Sequence, residues 1–299
     1  MPDLLLDALP VIDLLEITGN TSAVAQLIER DQSSVSRIYR QASDRLGLQF
    51  CKGENGAYRA GANHPLLREL RRSSQRLRLH EPASLRWVAC RWTPQPTGDS
   101  GALPPPLDHR WACRQRLAQQ LQDHLIDLAV LPGLELLRET VLPDAPPAEV
   151  PLDCGSLVAL PLLRQPLLIT APDGHPLQDS TALCPADLRP WPLLPPEPGG
   201  DPAPRLLREL QALGMKLAEG SDNLPDQPPL QLVAALDLET HPQAGSLRVL
   251  PVSSDLQDLD VVVMRRDLLS EPGLIQLLEA LVEIHRRRFG QRDDLQLLR

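Results

Sequence analysis

No apolar run in this 299-residue chain approaches the roughly 18 residues needed to cross a bilayer; the longest, such as Val158–Leu163 and Leu230–Leu236, fall far short. The first residues carry Asp3 and Asp7 where a secretion signal would want a basic end before an apolar core. Neither membrane insertion nor export is therefore expected. Paired cysteines are missing as well. Cys51, Cys90, Cys113, Cys154 and Cys184 lie at least 23 positions apart, which removes the C-x-x-C spacing of thioredoxin-type and zinc sites. An odd number of thiols without a signal fits a reducing cytoplasm, with the cysteines serving as small hydrophobes of the core. Lysine is nearly absent: of 30 basic residues only Lys52 and Lys216 are lysine, which we read as a bias of genome composition.

Catalytic patterns are equally scarce. There is no G-x-S-x-G of a serine hydrolase and no G-x-G-x-x-G or G-K-[ST] of a nucleotide site. The carboxylates are scattered without pairing. His175 sits two residues from Asp173 in a His-Pro turn, which reads as a structural turn rather than a catalytic dyad. His124 and His285 are expected on helices without clustered partners. No enzyme activity, metal or cofactor is expected.

What is present is proline, 32 of 299 residues or about twice the usual share, and an uneven charge. The chain is net −9, yet residues 28–80 hold 11 basic against 5 acidic side chains. A basic stretch on an acidic protein suggests a dedicated polyanion-binding module on a body that repels polyanions; a solvated charged surface would look alike. The length suits about two domains.

Val11, Ile12, Leu14 and Leu15 recur at helical spacing and stop at Thr18-Gly19. Asn20 or Thr21 can cap a second short helix, Ser22–Glu29. A tight turn at Arg30-Asp31-Gln32 leads to a third helix, Gln32–Leu46, with Asp31 as cap and Gly47 as stop. At about 100° per residue, Val35, Ile38, Ala42 and Leu46 share one side of this helix, and Ser36, Arg37 and Arg40 the other. One side anchors to a core while the other carries donors for base edges and phosphates, as a recognition helix requires. Gln32, Ser33 and Ser34 would offer backbone N–H groups to a phosphate. Next come short strand-like pieces, Leu48–Cys51 and Ala57–Arg59, around Gly53–Gly56. Lys52 and Arg59 flank this hairpin, which suits a wing touching the DNA backbone. A helix follows over Asn63–His80. Its Leu66, Leu70 and Leu77 form a stripe with nothing local to cover it, while Arg68, Arg71, Arg72, Arg76 and Arg78 spread elsewhere. A second copy of the helix is the expected cover.

Residues 9–80 resemble the DNA-binding region of LysR-type transcriptional regulators. Gly19-Asn20-Thr21-Ser22 stands at the family's G-S-F-T-like turn, with Ala25 and Ile28 at its small and apolar positions. Gln32-Ser33-Ser34-Val35-Ser36-Arg37 is similar to its S-Q-P-A-L-S-R run. Leu46-Gly47 and Ala60-Gly61 match its L-G and A-G. Arg30 replaces an apolar turn residue, Asp31 the usual Ser, and Gln49-Phe50-Cys51 blurs the family's L-F. The resemblance implies a DNA contact set of Gln32, Ser33, Ser34, Ser36, Arg37, Arg40, Asn20, Thr21, Lys52 and Arg59. It also implies homodimerisation through the 63–80 helix, with tetramers as a further assembly.

Beyond a hinge at Glu81-Pro82, apolar runs alternate with helical pieces, the pattern of an α/β domain. Strands are expected over Leu85–Trp92, Trp111–Arg114, Ile126–Leu131, Leu157–Leu160, Pro166–Thr170, Leu247–Val252 and Asp260–Arg265. Helices are expected over Leu117–Leu125, Arg205–Leu213 and Pro272–Arg288. Ile126–Val130, Pro161–Pro172 with His175-Pro176-Leu177, and Asp187-Leu188 resemble successive segments of the LysR-type effector domain, a two-lobed fold like that of type 2 periplasmic binding proteins. The implied organisation is a winged helix-turn-helix in 1–62, a linker helix in 63–81 and an effector-binding-like α/β domain in 82–299. Two departures stand out. Prolines crowd 94–106, where the family has a helix, and Asp237–Pro242 replaces its A-G-x-G-I segment. Thr93 and Gln115 align with ligand-binding positions and could donate to a carboxylate of an effector. The implied function is a cytoplasmic regulator binding double-stranded DNA at an inverted repeat, open to a small-molecule effector. The alternatives are a ligand-independent DNA-binding or architectural protein with a degenerate cleft, and a binding protein whose N-terminal module has lost its DNA role.

Overall fold

A computed structural model describes residues 7–52, 58–60, 64–89, 93, 104–107, 117–132, 152–194, 209–215, 228–240, 244–252, 254 and 256–297. In chain order the elements are α1 (Leu9–Thr18), α2 (Thr21–Leu27), α3 (Gln32–Leu46), β1 (Phe50–Lys52), β2 (Tyr58–Ala60), α4 (His64–His80), β3 (Trp87–Val88), α5 (Leu117–Gln122), β4 (Leu128–Pro132), β5 (Leu152–Cys154), β6 (Leu157–Pro172), α6 (Pro185–Leu188), β7 (Leu193–Leu194), β8 (Leu230–Ala234), α7 (Ala235–Thr240), β9 (Leu247–Val249), β10 (Gln257–Arg265), α8 (Pro272–Phe289) and β11 (Gln296–Leu297). Two compact units form: Met1–Ala89 with Gln95–Ala129 and Met264–Leu281, and Cys90–Pro94 with Val130–Val263 and Val282–Arg299. Among the described residues no helix is long and apolar enough to cross a membrane.

In the first unit, α1 is buried along nearly its whole length, and Gly19 ends it in the left-handed region (φ 65°) with its N–H on the Leu15 carbonyl. That conformation is cheap for glycine. Asn20 caps α2 by accepting the Ser22 N–H at 2.8 Å. After Glu29, also at positive φ (52°), the chain turns into α3, closed by Gly47 at φ 62°. Val35, Ile38 and Ala42 of α3 are buried, and Tyr39 meets the Phe50 ring edge-on with centroids 5.1 Å apart. β1 and β2 pair antiparallel, Cys51 opposite Arg59 and Lys52 opposite Tyr58. β3 and β4 pair in parallel, Trp87 with Leu128 and Val88 with Ala129. The buried Trp87 indole donates to the Pro104 carbonyl at 2.8 Å, which satisfies its N–H.

In the second unit, β6 is the organising strand. It was expected as two strands around Pro161 and Pro166, yet it runs unbroken for 16 residues. The reason lies in its partners, which change along its length. β5 pairs with Leu157–Ala159, β11 with Leu163–Arg164, β8 with Leu167–Thr170 and β9 with Thr170–Pro172, so Pro161 and Pro166 fall outside these four pairings and Pro172 closes the strand opposite Leu247. β7 adds to β8 in parallel. Leu167, Ile169, Leu188, Leu193, Leu230 and Leu232 belong to the core on this sheet.

Other expectations shift at their edges. α5 ends at Gln122, where Asp123 and His124 turn the chain, His124 at φ 61°. β9 ends at Val249, and α7 follows β8 directly. The expected strand over Trp111–Arg114 and the first part of the Arg205–Leu213 helix lie outside the described residues. Cys184, expected in the core, is exposed: it stands at the N-cap of α6, where its N–H meets Asp187 Oδ2 at 2.8 Å. His175 is a structural turn. Its Nδ1 accepts the Leu177 N–H at 3.1 Å and its ring lies 4.3 Å from that of Trp191, while Asp173 pairs with Arg248 at 3.0 Å.

Candidate nucleic-acid interface

The α2–turn–α3 segment has one face committed to the core and one to solvent. Gln32, Ser33, Arg37 and Arg40 are exposed and Ser34 and Ser36 half-buried, opposite Val35 and Ile38. Its geometry is fixed by two local devices. Gln32 Nε2 donates to Thr21 Oγ1 at 2.8 Å, tying the first residue of α3 to the first of α2. Asp31 caps α3: Oδ1 accepts the Ser34 N–H at 2.8 Å and the Ser33 hydroxyl, and Oδ2 accepts the Ser34 hydroxyl at 2.7 Å. These hydrogen bonds hold the Asp31 carboxyl well below the ordinary carboxylate range, so it is ionised at all moderate pH. Arg37 Nη2 reaches back to Ser34 Oγ at 3.5 Å. The serines expected to face a phosphate thus spend their hydroxyls, and Ser34 its N–H, on the protein's own carboxylate. Asn20 and Thr21 lie at the start of α2, and Lys52 and Arg59 on the two strands of the hairpin.

Behind this surface lies a feature that the sequence reading missed. Arg71 and Arg78 of α4, expected only to lie away from its leucine stripe, are buried together with Ser74 and Gln75. Arg71 Nε donates to Asp13 Oδ1 at 2.8 Å and its Nη2 lies 3.0 Å from Glu16 Oε2; both acids are on α1. Arg86 Nη1 donates to Asp13 Oδ2 at 2.8 Å. Arg78 grips Asp127 through Nε (3.0 Å) and Nη2 (2.9 Å), and Asp127 also accepts Gln75 Nε2 at 2.8 Å and the Arg86 backbone N–H at 2.9 Å. Three carboxylates thus face three guanidiniums. Burial alone would raise the Asp127 carboxyl, but Arg78 and the donated hydrogen bonds hold it below its ordinary value. Burial likewise opposes the charges of Arg71 and Arg78, and the carboxylates outweigh it. The same cluster overturns the expectation for His124. Its Nδ1 is 2.7 Å from Gln75 Oε1 and its Nε2 is 2.7 Å from Arg265 Nη1. His285 is buried against Phe289, ring centroids 5.8 Å apart.

Of the two candidate effector residues, Thr93 is 3% exposed and its hydroxyl has no hydrogen-bond partner among the described residues. Gln115 lies outside the described residues.

No protein-family model matches the chain, and no curated protein matches it by sequence. Solved structures do. CbnR in complex with its target DNA superposes with a TM-score of 0.51 at 14% identity, over 93% of this chain and 98% of that one. A full-length OxyR from Pseudomonas aeruginosa gives 0.50 at 14% identity, over 96% and 95%. CbnR alone, described as a LysR family transcriptional regulator, gives 0.49 at 13% identity over 93% and 98%. With near-complete coverage in both directions, the chain has the mixed α/β fold of full-length CbnR and OxyR.

Proposed function

We propose that the chain is a LysR-type DNA-binding transcriptional regulator. Residues 1–62 form a winged helix-turn-helix with α3 as recognition helix and β1–β2 as wing, 63–81 the dimerising linker helix, and 82–299 a two-lobed effector-binding-like domain. Two or four copies bind an inverted repeat in double-stranded DNA, in the cytoplasm. The observation that carries this reading is the outward face of α3: Arg37 and Arg40 exposed on a helix whose far side is anchored by Val35, Ile38 and Ala42. Such a face supplies guanidinium donors for guanine edges and phosphates. A gel-shift series with genomic fragments tests it. The Arg37→Ala, Arg40→Ala double variant should lose at least about tenfold in affinity, with a shallower salt dependence. Undiminished binding by a folded double variant would sink the assignment of α3.

The buried hydroxyl of Thr93, without a partner among the described residues, favours an effector-responsive regulator over a ligand-independent one, because such a group costs free energy until something donates to it or accepts from it. A thermal-shift screen of small carboxylates checks this, and Thr93→Val should abolish any shift found.

A further inference from the structure

In this fold reading, DNA phosphate would ordinarily be drawn to the first turn of the recognition helix, where backbone N–H groups and the helix dipole attract anions. Here that place is taken. Asp31 stands at the N-cap of α3 and accepts from the Ser33 hydroxyl, the Ser34 hydroxyl and the Ser34 N–H. Ser33 and Asp31 are exposed, so the charge sits at the surface presented to a ligand rather than in the core. Among the described residues, neither arginine beside this turn pairs with it. Arg30 is directed to Asp7 at 3.9 Å, and Arg37 reaches Ser34, not the carboxylate.

We propose that Asp31 is a built-in phosphate mimic that excludes the DNA backbone from the N-terminus of α3, so that backbone affinity at this helix comes from Arg37 and Arg40 alone. The inference rests on the DNA-binding reading above and adds a determinant of affinity to it. Two consequences follow from the chemistry. Neutral side chains that still cap the helix remove the repulsion without unfolding the turn, since Asn and Ser are as good at an N-cap as Asp. The gain is electrostatic, so salt erodes it, with a screening length of about 10 Å at 0.1 M.

The test is fluorescence anisotropy of the full-length protein on a labelled random-sequence duplex, across a salt series. The variants are Asp31→Asn, Asp31→Ser and the Arg37→Ala, Arg40→Ala pair. Both neutral variants should bind about threefold tighter than the wild type at low salt, the size expected of one unit charge near one phosphate in water. Their curves should converge on the wild type as salt rises. Unchanged or weaker binding by Asp31→Asn overturns the proposal, as does tighter binding that salt leaves untouched. The arginine pair separates the two levels: if it weakens binding while Asp31→Asn changes nothing, only the Asp31 inference fails. If neither change matters, the DNA-binding reading fails with it.

Discussion

Arg86 and Asp13, 73 positions apart, meet through a 2.8 Å hydrogen bond from Nη1 to Oδ2, and Arg71 takes the other oxygen of the same carboxylate. Asp13 is fully buried in α1, so the first helix of the proposed DNA-binding head is joined directly to α4 and to the start of β3. Buried ion pairs of this kind contribute little over a well-packed apolar substitute, but removing one partner strands the others. Asp13→Ala leaves the Arg86 guanidinium without its carboxylate and Arg71 with Glu16 alone. The expected cost is about 3–5 kcal/mol, a large share of the roughly 5–15 kcal/mol that holds a domain together. Urea unfolding of the full chain measures it. A loss under about 1 kcal/mol would show that water or repacking reaches the stranded arginines.

The cluster also has a titrating member. Burial, and secondarily the positive charge of Arg265, push His124 down from 6.5 to about 4; Arg72 adds to the depression, and Asp123 and Asp267 oppose it. The unfolded chain therefore takes up a proton first as pH falls. Stability contributed by neutral His124 is complete above pH 6.5 and declines between 6.5 and about 4. In His124→Asn, which tolerates the φ of 61°, the melting temperature should fall less steeply over that window. Identical pH profiles for the two proteins would exclude His124 as the source.

At the N-terminus of α8, Gly273 comes close to α4. A Cβ there would stand 2.6 Å from the Leu79 carbonyl oxygen and 3.6 Å from Pro82 Cγ. Backbone cannot rotate out of the way as a side chain can. Gly273→Ala should destabilise the protein by about 1–3 kcal/mol although alanine is the better helix former. An unchanged or raised melting temperature would mean that α8 shifts freely along α4.

Local signals in the sequence were strong where a cap and a stop bracket one helix. Asp31 and Gly47 delimit α3, and its bounds were read without the structure. β6 departs from the expected pair of strands because proline ordinarily breaks a central ladder; which partners meet it along its length is a tertiary fact that no local pattern carries. The inner side of α4 was missed because arginine is ordinarily solvated. Two clues were available: Arg71, Ser74, Gln75 and Arg78 recur at helical spacing with Leu67, and Asp13 and Glu16 interrupt an otherwise apolar α1. Charge inside an apolar helix calls for an opposite charge elsewhere. Its address, though, depends on how the chain folds back.

The outer side of α4 carries the remaining prediction. Leu66 and Leu77 are 45% and 49% exposed and Leu70 is half-buried, while Leu67 and Leu79 point to the core. The exposed leucines lie on one stripe of a 17-residue helix, and in the proposed dimer a second copy supplies the matching surface. Because they bury little within the chain, Leu66→Glu with Leu77→Glu should leave the unfolding free energy of the monomer within about 1 kcal/mol of the wild type. The same change places like charges across the pairing face, so light scattering should show a shift toward monomer at micromolar concentration. DNA affinity should fall with it, since two tethered heads bind an inverted repeat far better than one. A double variant that stays dimeric would place the self-association of this protein on a surface other than α4.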